Sequence, residues 1–373
     1  QLLRYGFISP KSTNSNLISK RVSRLTGSRW MELPRIVAVG NEAILELPQI
    51  CSYLLLEGPG LIVTGPHTDD VVGKTILELL NSGGFEPQTL ICTASKLEEV
   101  DRAEARAREI KAGFLIGAGG GRSIDIAKIA SMRTNIPFLS LPTAASHDGI
   151  CSSQASLTVN GEAVSLPAQS PLAIIADTGI IARAPARLLA AGCGDIISNY
   201  TAILDWQLAH RLRSEEFSEY ASALSGMTAK MIVERASDIR PGLEESAKIV
   251  VKALISSGVA MSIAGSSRPA SGSEHKFAHS INRIAPRRGL HGELCGLGTI
   301  MMMYLHGKDW KMIREALAQV GAPTSADQIG LDAETVVEAL VNAHRIRPER
   351  YTILDSGLNR DAAARAAEAT GVI

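Results

Sequence analysis

The chain has 373 residues, which is enough for two domains that each bury a core of their own. Its 38 Lys and Arg residues balance 38 Asp and Glu residues, so the net charge gives no electrostatic basis for binding nucleic acid or an anionic membrane. No apolar run reaches membrane-spanning length, and the 5 cysteines are scattered without a C-x-x-C pair, which together indicate a cytoplasmic protein with free thiols.

Residues 1–30 differ in composition from the rest of the chain. They are rich in Ser, Arg, Lys and Asn and show no clear periodicity. We expect a disordered leader or extension there, with a basic targeting peptide as the less favoured alternative, and assign no chemistry to it. The first domain is expected to cover residues 31–185.

Residues 31–177 alternate between predicted strands and predicted helices. The strands are expected at 60–64, 89–93, 114–117, 137–141 and 171–177, and the helices at 69–80, 98–111 and 123–132. Alternation of this kind forms βαβ units, so the pattern predicts an α/β N-terminal domain with a parallel, Rossmann-like sheet. Ligands of such sheets bind at the carboxyl ends of the strands.

After residue 185 the apolar residues recur with helical spacing and strand candidates nearly vanish. Helices are expected at 186–212, 216–234, 246–263, 275–284, 295–305, 311–320 and 333–345. We therefore predict an all-α C-terminal domain over residues 186–373, with the domain boundary near 184–186.

A glycine-rich turn follows the third predicted strand. Gly119, Gly120 and Gly121 stand together before a helix, and glycines let backbone amides approach a ligand closely. The start of the helix favours a phosphate, and Arg122 or Ser123 adds a side-chain donor. The turn predicts a pyrophosphate site, with a tight turn that merely needs glycine as the alternative. Neither G-x-G-x-x-G nor G-x-x-x-x-G-K-[ST] is present.

The next predicted strand ends in a polar loop. Thr143 and Ser146 offer hydroxyl groups for a phosphate or a ribose, and Asp148 offers a carboxylate to a substrate. His147 is better explained as a surface histidine or one with a structural hydrogen bond.

Three of the 8 histidines fall within one short window. His275 and His279 are spaced to share one face of a helix, and His291 follows after a break rich in Pro, Arg and Gly. Such a group suits a divalent metal, zinc first, although a helix with two exposed histidines is the alternative. Asp195, early in an apolar helix, is either a carboxylate favoured by the helix dipole or a further metal ligand.

These motifs together resemble the family that unites iron-type alcohol dehydrogenases, glycerol dehydrogenase and dehydroquinate synthase. Residues 119–128, GGGRSIDIAK, match the family pattern G-G-G-x-S-x-D-x-A-K in full. The Pro-Thr pair at 142–143 resembles the second nucleotide loop of the family, and G-x-G-D at 192–195 resembles its aspartate metal ligand. Within this family, three segments most resemble the archaeal-type sn-glycerol-1-phosphate dehydrogenases: residues 142–152, 194–199 and 271–279.

The resemblance implies a role for each group of residues. Asp195, His275 and His291 bind zinc, so only one member of the His275 and His279 pair is a ligand. Asp148 and His279 contact the substrate and act in catalysis. The implied contacts to NAD(H) or NADP(H) come from Gly119, Gly120, Gly121, Arg122, Ser123, Asp125, Thr143, Ala144, Ala145, Ser146 and Ser152.

The implied reaction is the reversible reduction of dihydroxyacetone phosphate by NAD(P)H to sn-glycerol 1-phosphate, the backbone of archaeal membrane phospholipids. Zinc stabilises the charge that develops on the ketone oxygen, and we expect Asp148 or His279 to belong to the proton relay. Asp195 borders the substrate. Ser198, Asn199 and Lys276 are candidates for holding its phosphate, although many Asn and Lys side chains do nothing specific.

Other functions stay open at this point. One is a dehydrogenase of glycerol or another polyol, and another is a lyase like dehydroquinate synthase, which typically has a Gly-Asp pair where this chain has Arg122-Ser123. A non-catalytic relative is disfavoured because all three implied ligands are present. The small polar residues at 93–95 permit either NAD or NADP, and we also expect a homo-oligomer.

Overall fold

The computed structural model describes residues 31–159 and 162–373. The leader expected at 1–30 lies outside the described residues. Two compact units are present: one runs to Thr143 and also contains Gly149–Val159 and Val164–Asp177, and the other contains Ala144–Asp148 and Thr178–Ile373. The domain boundary expected near 184–186 stays a prediction.

A six-stranded parallel sheet forms the centre of the first unit. Its strands are β1 Ile36–Gly40, β2 Gly60–Thr64, β3 Gln88–Ile91, β4 Phe114–Gly119, β5 Phe138–Pro142 and β8 Ala173–Asp177, and a separate two-stranded sheet contains β6 Gln154–Val159 and β7 Glu162–Pro167. The order across the large sheet is β1-β8-β5-β4-β2-β3, with parallel pairing throughout. The predicted parallel α/β fold is confirmed.

The burial of the strands explains which of them the sequence revealed. Strands β2, β4, β5 and β8 are buried at every position, and each therefore reads as a continuous apolar run. Strand β1 is half-exposed and β6 mixes polar and apolar residues, so neither β1 nor the β6–β7 pair was expected from the sequence.

Four main helices belong to the first unit. They are α1 Leu47–Tyr53, α2 Lys74–Ser82, α3 Leu97–Glu109 and α4 Gly121–Thr134, and a π-helical turn at Asp69–Gly73 precedes α2. Helix α4 packs against β4 and begins directly after the glycine-rich turn, as the sequence predicts.

Helices make up the second unit, and the described residues from Thr178 onward contain no strand. They are α5 Thr178–Ala182, α6 Ala186–Ile197, α7 Asn199–Arg213, α8 Glu219–Glu234, α9 Glu244–Ala264, α10 Ser273–Ile284, α11 His291–Leu305, α12 Trp310–Gln319, α13 Ala333–Asn342 and α14 Arg360–Ala369. The single helix expected at 186–212 is therefore two helices that meet at Ser198, and α14 was not expected.

Helix α9 is the one described helix whose length and composition would allow it to cross a membrane. In the structure, 67% of its apolar window is buried against other parts of the protein. A helix in the core of a protein can be equally long and apolar. Helix α9 is such a core helix, and α8 packs along it.

Candidate active site

Three helices of the second unit bring together the side chains that the sequence nominated as metal ligands. Asp195 lies in the last turn of α6, His275 in the first turn of α10, and His291 at the start of α11. Their ligand atoms lie within 4.8 Å of one another, together with the Sγ atom of Cys295. The Nε2 atom of His291 is 3.7 Å from Oδ1 of Asp195.

Glycines allow α6 and α11 to approach closely enough for this cluster to form. A Cβ on Gly292 would overlap the carbonyl oxygen of Ala191, and a Cβ on Gly194 would overlap the carbonyl oxygen of Gly292. The contact is reinforced by Arg187 on α6, which donates to both carboxylate oxygens of Glu293 on α11 at 2.5 and 2.7 Å. Small residues at these positions therefore set the distance between Asp195 and His291.

Cys295 is the member of the cluster that the sequence analysis did not nominate. Its side chain is fully buried, and its Sγ atom is 3.7 Å from Nε2 of His291. Cys295 stands one helical turn after His291, so the spacing that drew attention to His275 and His279 applied to this pair as well.

His279 lies beside the cluster without belonging to its group of ligand atoms. Its ring centroid is 6.4 Å from that of His275 and 6.0 Å from that of His291. The Nδ1 atom of His279 is buried and has no hydrogen-bond partner among the described residues. This location suits a residue that contacts a molecule bound next to the cluster.

A buried carboxylate orients His275. The Nδ1 atom of His275 is 2.7 Å from Oε1 of Glu274, which leaves Nε2 as the nitrogen directed to a ligand. The Glu274 carboxylate also accepts hydrogen bonds from the Gly272 amide and the Thr201 hydroxyl, both at 2.6 Å. Burial and the charge of Asp205 raise the pKa of Glu274 to about 7.

The electrostatics of the cluster favour a cation. Burial raises the pKa of Asp195 to about 7, and the negative charge of Glu274 acts in the same direction. Burial also holds the pKa of His275 well below its ordinary value and raises that of Cys295. Burial thus favours the neutral forms of Asp195, His275 and Cys295. A divalent cation would instead favour the carboxylate of Asp195 and the thiolate of Cys295. One carboxylate, two imidazoles and a thiol are donors that suit zinc or a related transition metal.

Asp148 is joined to the cluster by a chain of hydrogen bonds. Its amide donates to Oδ2 of Asp195 at 2.9 Å, and its Oδ2 atom accepts from the Ser257 hydroxyl at 3.0 Å. Asn199 donates in turn to Ser257 at 3.3 Å, while its Oδ1 atom is buried and has no partner among the described residues. The structure therefore brings Asp148 and Asn199 to the cluster.

The other two candidates for holding a phosphate are engaged elsewhere. The Ser198 hydroxyl donates to the carbonyl oxygen of Asp195 at 2.6 Å, a bond within its own helical turn. The ammonium of Lys276 is buried and lies 3.5 Å from Oδ1 of Asp355. Contacts of Ser198, Asn199 and Lys276 to a substrate stay predictions.

In the first unit, the glycine-rich turn leaves room above the start of α4. Gly119 has φ of +134°, which disfavours any side chain, and no atom lies within 4 Å of a Cβ placed on Gly120. The amide of Thr143 donates to the carbonyl oxygen of Gly119 at 3.1 Å, so the two proposed cofactor segments adjoin at the ends of β4 and β5. Arg122 is exposed beside the turn, and Ser123 is buried.

Asp125, Ser152 and the two alanines have buried positions. The Asp125 carboxylate accepts from the Ser156 amide at 2.9 Å and lies 3.3 Å from the Lys128 ammonium, so it holds local structure. Ser152 is buried in the first unit, and Ala144 and Ala145 are buried in the second. Ser146 follows them and is half-buried. Their contacts to a dinucleotide stay predictions.

Comparison with known proteins adds to this geometry. The family of iron-containing alcohol dehydrogenases matches the chain over residues 38–185. Glycerol-1-phosphate dehydrogenase (NAD(P)+) of Methanothrix thermoacetophila is 62% identical over 350 residues, which are 94% of this chain and 99% of that protein. The chain belongs to the glycerol-1-phosphate dehydrogenase family.

Another member of the glycerol-1-phosphate dehydrogenase family, from Methanosarcina mazei, is 57% identical over 346 residues, 93% of this chain and 97% of that protein. Among solved structures, glycerol dehydrogenase from Schizosaccharomyces pombe superposes with a TM-score of 0.77 at 20% identity, over 92% of this chain and 90% of that chain. That likeness shows a common fold.

Proposed function

We propose that this protein catalyses the reversible reduction of dihydroxyacetone phosphate by NAD(P)H to sn-glycerol 1-phosphate, the phospholipid backbone of archaea. The observation that carries the proposal is the convergence of Asp195, His275 and His291 within 4.8 Å, in a chain that is 62% identical to a glycerol-1-phosphate dehydrogenase. The glycine-rich turn before α4 supports the binding of the pyrophosphate of NAD(P)H.

We propose zinc as the metal, held by Asp195, His275 and His291. When bound, zinc supplies Lewis acidity toward the ketone oxygen and lowers the pKa of the product alcohol. Iron is the competing metal, and the buried Cys295 thiol beside the three ligands favours zinc because sulfur is a soft donor.

The remaining residues bind the substrate and move a proton. Reduction adds a hydride to the ketone carbon, which NAD(P)H supplies, and a proton to the ketone oxygen. We propose that the carboxyl group of Asp148, which accepts a hydrogen bond from the Ser257 hydroxyl, carries that proton. Because burial keeps the pKa of His279 well below its ordinary value, His279 is a neutral imidazole at pH 7 and serves as a hydrogen-bonding group.

The proposal is tested by measuring loss of NADH and NADPH absorbance with dihydroxyacetone phosphate, before and after metal removal. We expect metal-dependent turnover, restored by zinc better than by Fe²⁺, and an sn-glycerol 1-phosphate product by stereochemical analysis. Faster turnover of unphosphorylated dihydroxyacetone would instead indicate a polyol dehydrogenase. Metal-independent turnover would contradict the role of the cluster.

We further propose that the enzyme acts in the cytoplasm as a homo-oligomer. The five buried free thiols support a reducing compartment. Light scattering during gel filtration measures the oligomeric state, and a monomer at micromolar concentration would contradict this part of the proposal.

A further inference from the structure

Arg347 is a half-buried cation, and the charge of Glu349, an exposed residue two positions further along the chain, acts on it. Its guanidinium makes no hydrogen bond and no ion pair with any residue in the described ranges. Burial lowers the pKa of Arg347, because the charged form is poorly hydrated at this position. A guanidinium that is partly removed from water and forms no ion pair is stabilised further by a ligand that carries negative charge.

Neighbouring cations are engaged with other groups. Arg268 donates to the carboxylate of Glu215, including a bond of 2.6 Å from Nε, and the ammonium of Lys276 lies 3.5 Å from Asp355. Lys276 was the cation that the sequence suggested for a substrate phosphate. Asp355 gives Lys276 a counter-charge although its Nζ atom makes no hydrogen bond, whereas Arg347 has no ion pair among the described residues, and we therefore prefer Arg347.

The backbone at Arg347 is strained. Its φ is +46°, a left-handed backbone conformation that residues other than glycine rarely adopt. A turn holds it, since the Arg350 amide donates to the carbonyl oxygen of Arg347 at 2.9 Å. Six other non-glycine residues among those described also have a positive φ, so the strain supports a functional role only together with the position of Arg347 beside α10.

The segment that carries Arg347 is attached to the helix that carries the active-site histidines. Arg350 donates to the carbonyl oxygen of Ser271 at 2.7 Å and to the Ser267 hydroxyl at 2.8 Å, immediately before α10. The turn Ala343–Arg345 packs on α10 itself. The positive charge of Arg347 contributes to the low pKa of both His275 and His279, as expected for a cation near the two rings.

We propose that Arg347 binds the phosphate group of the substrate. This inference rests on the proposed function and names the side chain that selects a phosphorylated ketone over an unphosphorylated one. The planar guanidinium can donate two parallel hydrogen bonds to a phosphate, and the phosphate dianion would form the ion pair that no described acidic residue forms with Arg347.

Steady-state kinetics of Arg347→Gln with two ketones test the proposal. We expect the KM for dihydroxyacetone phosphate to rise about 10- to 100-fold, while kcat/KM for dihydroxyacetone changes far less, because the charge-assisted hydrogen bonds that are lost are those to the phosphate. Inhibition by inorganic phosphate should weaken in parallel. Arg345→Gln is the matched control, since Arg345 is exposed and two residues away, and should behave as wild type.

A purely structural role gives a different result. In that case Arg347→Gln would lower Tm and reduce kcat/KM for both ketones equally. Arg347→Lys keeps the charge but loses the planar guanidinium. Its KM for dihydroxyacetone phosphate should lie between those of wild type and Arg347→Gln. This variant provides the test if Arg347→Gln does not fold. If wild type turns over dihydroxyacetone phosphate and Arg347→Gln retains its KM and its inhibition by phosphate, only this inference fails. If wild type does not reduce the phosphorylated ketone, the proposed function fails.

Discussion

At the scale of single residues, the Glu274 carboxylate is the group that fixes the ring of His275. It is fully buried, contacts Nδ1 of His275 at 2.7 Å, and is itself held by the Thr201 hydroxyl. Carboxylates in this position orient the imidazole and increase its basicity toward a metal. We therefore expect Glu274 to influence metal binding through His275 without being a ligand itself.

The Glu274→Gln substitution should weaken metal affinity by about 10- to 100-fold, because an amide orients the imidazole less strongly than a carboxylate does. Competition with a chromogenic chelator measures the affinity directly, without the need for activity. Glu245→Gln, at an exposed position on α9, is the control. Equal affinities in both variants would show that Glu274 has no orienting role.

The raised pKa of Asp195 predicts how the metal-free protein depends on pH. Its pKa rises from 3.8 unfolded to about 7 folded, so the folded state favours the protonated form. The stabilisation from this group is complete below about pH 4 and is lost as the pH rises toward 7. Metal binding requires the carboxylate, so the gain in Tm upon metal loading should grow from pH 5 to pH 7.

Differential scanning fluorimetry with and without a chelator measures that gain. Asp195→Asn removes the titrating group, so the pH dependence of the metal-free protein should become shallower. A metal-induced gain in Tm that is the same at pH 5 and pH 7 would contradict the assignment.

At the scale of helices, the packing of α6 against α11 depends on glycines that the sequence shows but does not explain. Gly292 meets the backbone of Ala191, and Gly194 meets the backbone of Gly292. Backbone atoms cannot rotate away as side chains can, so a methyl group at Gly292 must separate the helices. Asp195 and His291 would then move apart.

Gly292→Ala should therefore cost about 1–3 kcal/mol of folding free energy and also reduce metal content. The control is Gly296→Ala in the same helix, where an added Cβ would be 3.2 Å from the flexible end of Leu317. We expect chemical denaturation to show a small change for Gly296→Ala, and mass spectrometry of the metal to show full loading. Full metal loading of Gly292→Ala would show that the helix spacing tolerates the methyl group.

Helices and strands were predictable from the sequence where burial follows one regular pattern along the whole element. Strand β2 is buried throughout and was predicted at its correct limits, 60–64. The break at Ser198 was missed because apolar spacing continues from α6 into α7. Helix α14 was missed because its repeated alanines give a weak apolar pattern, although alanine favours helix.

At the scale of the whole molecule, all five cysteines are buried and free, which predicts thiols that react only when the protein opens. They are Cys51, Cys92, Cys151, Cys193 and Cys295. Burial raises the pKa of Cys51 and Cys193 to about 12, so the reactive thiolate is scarce in the folded state. A disulfide-exchange reagent should label all five quickly in denaturant and none quickly in the native, metal-loaded enzyme.

Labelling of Cys295 tests its place beside the metal. We expect removal of the metal to increase labelling of Cys295 alone among the five, as detected by peptide mass spectrometry. Rapid labelling of native Cys51 or Cys193 would contradict the burial of these thiols.

The sequence predicted those parts of the candidate site that stand in local motifs. The glycine-rich turn and the proposed ligands Asp195, His275 and His291 stand in short recognisable patterns, and the resemblance to a family linked them. Arg347 stands in no motif, because the proposal for it rests on its backbone conformation and on its place beside α10, which only the folded chain displays.

The short segment Ala144–Asp148 belongs to the helical unit although α/β segments flank it on both sides. A gene fragment that encodes only Thr178–Ile373 would thus lack Asp148, whose amide donates a hydrogen bond to Asp195. A single cut just before Thr178 therefore keeps all the residues of the cluster but removes one hydrogen-bond donor to Asp195. A chimera with its crossover between Asp148 and Thr178 would take these two parts of the helical unit from different parents, whereas a crossover before Ala144 would keep them together.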